Sequence, residues 1–432
     1  MEFLHSFLFL VFLSFSRLAI HYSVSRHLSA TLYLFSILRY FFLLFGLISL
    51  PLKAELDSLQ VCLPCNEIKQ DSSLALLSTK WKSGDLMVLH LGDSHVQIGH
   101  FSGELKRLLQ AKNTGIHFPY PLAKSVDGRL FKTKAFGNWT GISVLKPASG
   151  INIGLTGYAV STRDTAAKIQ WIAKDSLLTF RRVRIWTESD SCVLLPDLGS
   201  EFSLVSQQKE GKLRYYDFES DSSVSEFILS LRNVGVGDQF ILHGIELPAE
   251  ENGIDYIDLG VAGAQFTHFK SRANLVFDQI KILQPDLIIC SFGTNEAYNA
   301  KWESQSYKNA WLEFVREIQS ISPKTAFLLT SPPDTRSQNR VPKYQQEVIR
   351  VLAEMKVPFY DLNAVMGGFG SSLDWVKKGF FLKDQLHLTK EGYQLQAKLF
   401  VLALFKSWGD QTSFEKLQKQ VNQHIISVGI PK

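Results

Sequence analysis

The chain has 432 residues, with 46 Lys+Arg against 41 Asp+Glu, which is long enough for two domains and a sizeable core. Four of the bases and one of the acids fall in the first 54 residues. The remainder is nearly neutral and has no Lys/Arg run, which excludes the basic footprint of a nucleic-acid binder. Aromatic residues make up 12% of the chain and no segment is of low complexity, which excludes disorder over most of its length.

In chain order, the first features are two apolar stretches, FLHSFLFLVFLSF (3–15) and TLYLFSILRYFFLLFGLISLPL (31–52). The first is too short to cross a bilayer comfortably. In the second, Arg39 precedes an uncharged run, and small Ala54 follows, the pattern of a secretory signal cleaved after Ala54. An uncleaved anchor, or a translation start further downstream, stays open. Residues 1–54 are therefore expected to be a signal peptide or membrane anchor, directing the protein to the periplasm or cell envelope. Cys62 and Cys65 follow as a lone CxxC with no further ligands at zinc spacing, so a local disulfide is the expectation. Cys290 sits in an apolar strand and reads as a small buried hydrophobe.

From residue 83, strands alternate with helices. DLMVLHLG (85–92) is continuously apolar, as in a strand buried on both faces, and GHFSGELKRLLQ carries apolar residues at helical spacing. Between 131 and 252 the rhythm changes. AKIQWIA, RRVRIWTE, SCVLLPDL, EFSLVSQQ, KLRYYDFE, VSEFILSLR and QFILHGIEL alternate over short lengths between Gly, Asp and Ser turns, as in a β-sandwich. The α/β rhythm resumes at GIDYIDLGVAGAQF (253–266). It continues through DLIICSFG (286–293), a helix near 303–320, TAFLLTS (325–331), a helix over 342–354, VPFYDLN (357–363) and a closing helix in HLTKEGYQLQAKLFVLALFKSW (387–408). The expected architecture is a doubly wound parallel-sheet α/β domain, 55–130 and 253–432, interrupted by an inserted β-sandwich at 131–252.

The candidate chemistry lies at strand ends. LGDSH (91–95) puts Ser94 just beyond a buried parallel strand, the edge where ligands gather in open α/β sheets. A serine hydroxyl is a weak nucleophile unless a positioned imidazole removes its proton. DQLHLT (384–389) supplies His387 with Asp384 three residues before it, an offset that lets one loop present both. Thr389 with Glu391 marks the start of the helix that follows. Donors for a developing oxyanion are available at GVAGA (260–264), where a glycine N–H approaches closely, and in SFGTNEA (291–297), where Asn295 offers an amide. Glu296 is either functional or a favourable charge at a helix N-terminus. His90, His95 and His100 recur every five residues and share no face, so no metal or other cofactor is expected. His90 reads as a buried strand residue, His243 and His268 as structural, and His95 has no assigned role. Asp93 reads as a residue that shapes the loop.

Each block alone is common; together, in this order, they resemble the SGNH/GDSL hydrolase superfamily over 85–130 and 253–408. The resemblance implies that Ser94 is the nucleophile, His387 and Asp384 the base and acid, and Ser94 N–H, Gly263 and Asn295 the oxyanion hole. Ala262 departs from the Asn of many relatives, leaving Gly260 as the alternative in that block. GDSH, SFGTNEA, the SPPD at 331–334 and the β insertion are similar to bacterial peptidoglycan O-acetylesterases, some of which carry a carbohydrate-binding-module-like insert here. An exported serine esterase acting on an O-acetylated cell-wall glycan, peptidoglycan first, is thereby implied. The alternatives are an O-acetyltransferase of the same fold, an esterase on another acetylated polysaccharide such as xylan, or a glycan-binding protein with a decayed site. Trp171, Trp186, Tyr215 and Tyr216 form either a sugar-stacking surface or sandwich core, and core is favoured for the two tryptophans. Partners expected are the acetylated glycan and, through the N-terminus, the membrane.

Overall fold

The structure is a computed structural model that describes residues 59–428, apart from 60, 127, 189–193, 234–238, 249–252 and 338–339. The expected signal or anchor at 1–54 lies outside the described residues. The α/β part is a six-stranded sheet in the order Ile68–Lys69, Phe359–Tyr360, Ala326–Thr330, Leu287–Ser291, Met87–Gly92, Asp255–Gly260. The last five are mutually parallel, and Ile68–Lys69 is an antiparallel edge. Taken along the chain, the parallel strands lie in the order 2-1-3-4-5. Such a sheet reverses direction between its first and third strands, here Met87–Gly92 and Leu287–Ser291, and ligands bind beyond the carboxyl ends at that point.

Met87–Gly92 is buried because it is central, and its alternate residues serve two cores. Leu89 and Leu91 join the core that continues into the antiparallel sheets. Val88 faces the other, which holds Phe101 of the helix His100–Leu109 and Phe400 of the helix Lys390–Ser407. His90, fully buried on the same strand, has its two ring nitrogens 2.8 Å from Tyr256 Oη and 2.8 Å from Ser291 Oγ. It is the buried strand residue expected. Asp258, 3% exposed at its side chain, binds Lys106 at 2.6 Å and also pairs with Arg129. Burial alone would raise its carboxyl, but these two cations hold it below the usual range.

The remaining strands form a seven-stranded and a four-stranded antiparallel sheet. Phe131, Phe180, Phe202 and Phe227 pack edge-to-face across them. Gly115–His117 belongs to the larger sheet, paired with Phe240–Leu247, although it precedes residue 131. Three residues are too few to display alternation, so the sequence pattern passes over it. The four aromatic residues considered for sugar stacking are all core. Trp171 and Trp186 are 0% exposed, Tyr215 5% and Tyr216 3%. Adjacent residues on a strand face opposite ways, so burial of both tyrosines means that the strand Leu213–Val224 is covered on both faces there. Tyr215 packs on Trp186 with ring centroids 5.2 Å apart, under the Arg184 guanidinium at 4.4 Å. Cys62 and Cys65 form a disulfide, and Cys290 is buried.

Candidate active site

At the end of Met87–Gly92 the chain turns at once into a short helix, Ser94–Gln97. Gly92 permits this: a Cβ there would lie 2.3 Å from Val96 Cγ2 and 2.8 Å from Ser291 O. Asp93 caps the helix, its carboxylate accepting His95 N–H at 3.0 Å. Ser94 is therefore the first helical residue, half-buried. Its backbone N–H belongs to the set that has no partner within the helix.

The loop before Lys390–Ser407 brings His387 to Ser94. Asp384 Oδ1 accepts the backbone N–H groups of Leu386 (2.9 Å) and His387 (3.0 Å), while Oδ2 lies 2.7 Å from His387 Nδ1. Gln385, left-handed at φ 55°, closes this turn. His387 Nε2 lies 3.0 Å from Ser94 Oγ. With Nδ1–H directed at the carboxylate, Nε2 keeps its lone pair for the serine proton. Burial would raise the Asp384 carboxyl, but the His387 side chain and the two backbone donors more than offset it and hold it as a carboxylate. Arg336 N–H donates to Gln385 O at 2.8 Å, and Thr389 caps the helix by accepting Gly392 N–H at 3.1 Å. Gly392, not Glu391, occupies the third helical position, so Thr389 caps alone.

The two donor blocks converge beside Ser94. Asn295 Nδ2 donates to Ala264 O at 2.9 Å and, over a longer 3.3 Å, to Asp93 Oδ2. Gly263 is exposed at φ +80°, and its N–H has no acceptor among the described residues. Gly260 is a different matter. It ends its strand against Asp93 O and Gln97 N, where a Cβ would lie 2.6 Å and 2.3 Å away. Of the two glycines, Gly263 offers the accessible N–H. Ala262 N–H is taken by Gln97 Oε1 at 2.5 Å. Among the other histidines, His243 is buried with Nε2 3.7 Å from Glu188, and His268 Nδ1 accepts the Gln265 N–H at a helix start.

Sequence reading understated the acids behind the site. Asp93 is 1% exposed and Glu296 0%; burial is the main cause that pushes Asp93 up to about 7 and Glu296 up to about 8. Glu296 Oε1 accepts Phe266 N–H at 2.6 Å, tying the Asn295 loop to the Gly263 loop. Glu296 is thus a buried structural acid rather than a helix-end charge. The adjacency GDS and TNE carries both carboxylates in the sequence, but only folding shows that they are buried.

These groups set a pH profile for stability. A carboxyl whose pKa is raised on folding stabilises below its unfolded value and loses that contribution as pH climbs through 7 to 8. His90, His95 and His117 are lowered by burial to about 3, so their contribution is present above 6.5 and lost as pH falls. Stability by urea denaturation is expected to peak near about pH 6.5 and decline above it. Glu296→Gln, which cannot ionise, should flatten the alkaline decline; an unchanged slope between pH 6.5 and 8.5 would refute the assignment.

Residues 245–395 match the model of the GDSL-like lipase/acylhydrolase family. The match contains Gly263, Asn295, Asp384 and His387 but begins within Phe240–Leu247, the last strand of the antiparallel sheets that separate them from Ser94. No curated protein matches the chain. Among solved structures, a peptidoglycan O-acetylesterase aligns at TM-score 0.60 and 20% identity, over 82% of this chain and 97% of that one. A protein of Bacillus subtilis aligns at TM-score 0.33 and 15% identity, covering 64% and 90%. A lipase/acylhydrolase of Enterococcus faecalis aligns at TM-score 0.29 and 20% identity, covering 37% and 77%. The first of these shows the fold: an SGNH hydrolase sheet carrying additional antiparallel sheets.

Proposed function

We propose that the chain, which has the SGNH hydrolase fold and matches the GDSL-like acylhydrolase family over residues 245–395, is a carboxylic ester hydrolase that removes O-acetyl groups from a cell-wall glycan, peptidoglycan first, through an acetyl-enzyme on Ser94. The observation that carries the mechanism is the unbroken chain from Asp384 to His387 to Ser94, 2.7 Å and 3.0 Å long, at the switch point of the sheet. His387 Nε2 takes the Ser94 proton as Oγ bonds to the acetyl carbonyl carbon. The carbonyl oxygen, now negative, is held by Ser94 N–H, Gly263 N–H and Asn295 Nδ2. His387 then gives its proton to the departing sugar oxygen, leaving acetyl on Ser94. Water, deprotonated by His387, attacks that ester, and acetate leaves as Ser94 regains its proton.

The glycan as substrate is supported by the likeness in fold to a peptidoglycan O-acetylesterase, and export by the apolar N-terminal stretch ending at Ala54. With the four interior aromatics buried, any glycan contact by the antiparallel part falls to other residues. Incubation with O-acetylated peptidoglycan, followed by acetate assay and mass spectrometry of the muropeptides, tests the proposal. Acetate release with deacetylated muropeptides is expected. Release from acetylated xylan alone would redirect the substrate, and acetyl gain on bare glycan would make the enzyme a transferase.

A further inference from the structure

We infer that His95 and Tyr393 form a positioning brace for the Ser94–His387 pair, an inference that rests on the reading of Ser94 as nucleophile. His95 immediately follows Ser94, and Tyr393 lies on the first turn of Lys390–Ser407, just beyond the His387 loop. Both are buried, with His95 Nδ1 2.8 Å from Tyr393 Oη. Tyr393 is tied to that loop through its backbone N–H, which donates to the carbonyl of Thr389, two residues after His387, at 2.9 Å. One hydroxyl thus joins the neighbour of the nucleophile to the helix that begins just beyond the base.

The bond holds the His95 ring in place. His95 Nδ1 and Tyr393 Oη share this bond in either tautomer. The other ring nitrogen, Nε2, is buried and has no hydrogen-bond partner among the described residues. The His95 ring packs against the His387 ring, centroids 5.4 Å apart and planes tilted by 40°. His387 therefore has an aromatic wall on one side and Ser94 within hydrogen-bond reach. Burial keeps that wall neutral, with His95 lowered to about 3, so no second cation opposes the imidazolium formed on His387. Neither residue touches the reacting atoms. Their effect is on geometry, and a small error in the approach of base to nucleophile is costly.

The test uses the full chain with Tyr393→Phe, His95→Leu, His95→Asn and the Tyr393→Phe/His95→Leu double variant. Four quantities are measured: kcat and KM on an aryl acetate, the rate of Ser94 labelling by a fluorophosphonate, and Tm. Tyr393→Phe keeps the ring and removes only the hydroxyl. It is expected to lose about tenfold in kcat and in labelling rate, with KM little changed. His95→Leu should match it and the double variant should be no worse than either single, because both remove one interaction. His95→Asn should recover most of the rate, since its side-chain oxygen accepts from Tyr393 near the position of Nδ1. Wild-type kcat and labelling in Tyr393→Phe would overturn the brace whatever happens to Tm, as would losses that multiply in the double variant. Should His95→Leu fail to fold, Tyr393→Phe decides alone. If the wild-type protein is not labelled at Ser94, the nucleophile reading fails first and the brace falls with it.

Discussion

Ser94→Ala is expected to lower kcat on an aryl acetate roughly 10³-fold or more, leaving the residual rate of the donors and binding alone. The hydroxyl lies 3.0 Å from His387 Nε2, and Ser94 is half-buried, so its removal changes little in packing. A small change in Tm should therefore accompany a large change in rate. Asp384→Asn should lose less, because Ser94 and His387 both remain to carry the proton transfer. Retention of most activity by Ser94→Ala would remove the acetyl-enzyme from the mechanism.

Asn295→Ala should lose about 10²- to 10³-fold in kcat, the usual size for one oxyanion donor, about 3 kcal/mol. KM should move little, because the donor acts on charge that exists only in the transition state. The geometry adds a specific consequence. In the free enzyme Asn295 Nδ2 spans Ala264 O and Asp93 Oδ2, the second contact being the longer at 3.3 Å. On the proposed mechanism, the proton directed at Asp93 is the one that turns to the oxyanion. Its loss in Asn295→Ala also leaves two acceptors short of a donor, a cost of about 1–3 kcal/mol in stability. Urea denaturation separates that cost from the kinetic loss. Full kcat in a variant that is merely less stable would assign Asn295 a structural role only.

Much of this site was legible before folding, for a local reason. Ser94, Asn295 and His387 each follow or precede a strongly periodic element, so their places at strand and helix ends follow from hydrophobic pattern. The Asp384–His387 bond spans three residues and is closed by local turn geometry. Less was legible in the antiparallel part. Alternation announced strands there, but Tyr215 and Tyr216, read as candidates for a binding face, are both interior. Sequence alternation cannot distinguish a face that meets water from one covered by another layer.

The chain by itself determined the α/β rhythm, the interruption near 131–252, the near-neutral charge and the order of the four motif blocks. Tertiary structure alone decided which glycine N–H is accessible, Gly263 rather than Gly260, because only packing shows Gly260 pressed on Asp93 and Gln97. It also decided that Asp93 and Glu296 are buried acids and that Tyr393 reaches His95 across 298 residues of sequence. These properties depend on contacts between distant segments and on exclusion of water. Neither is encoded in the spacing of neighbouring residues.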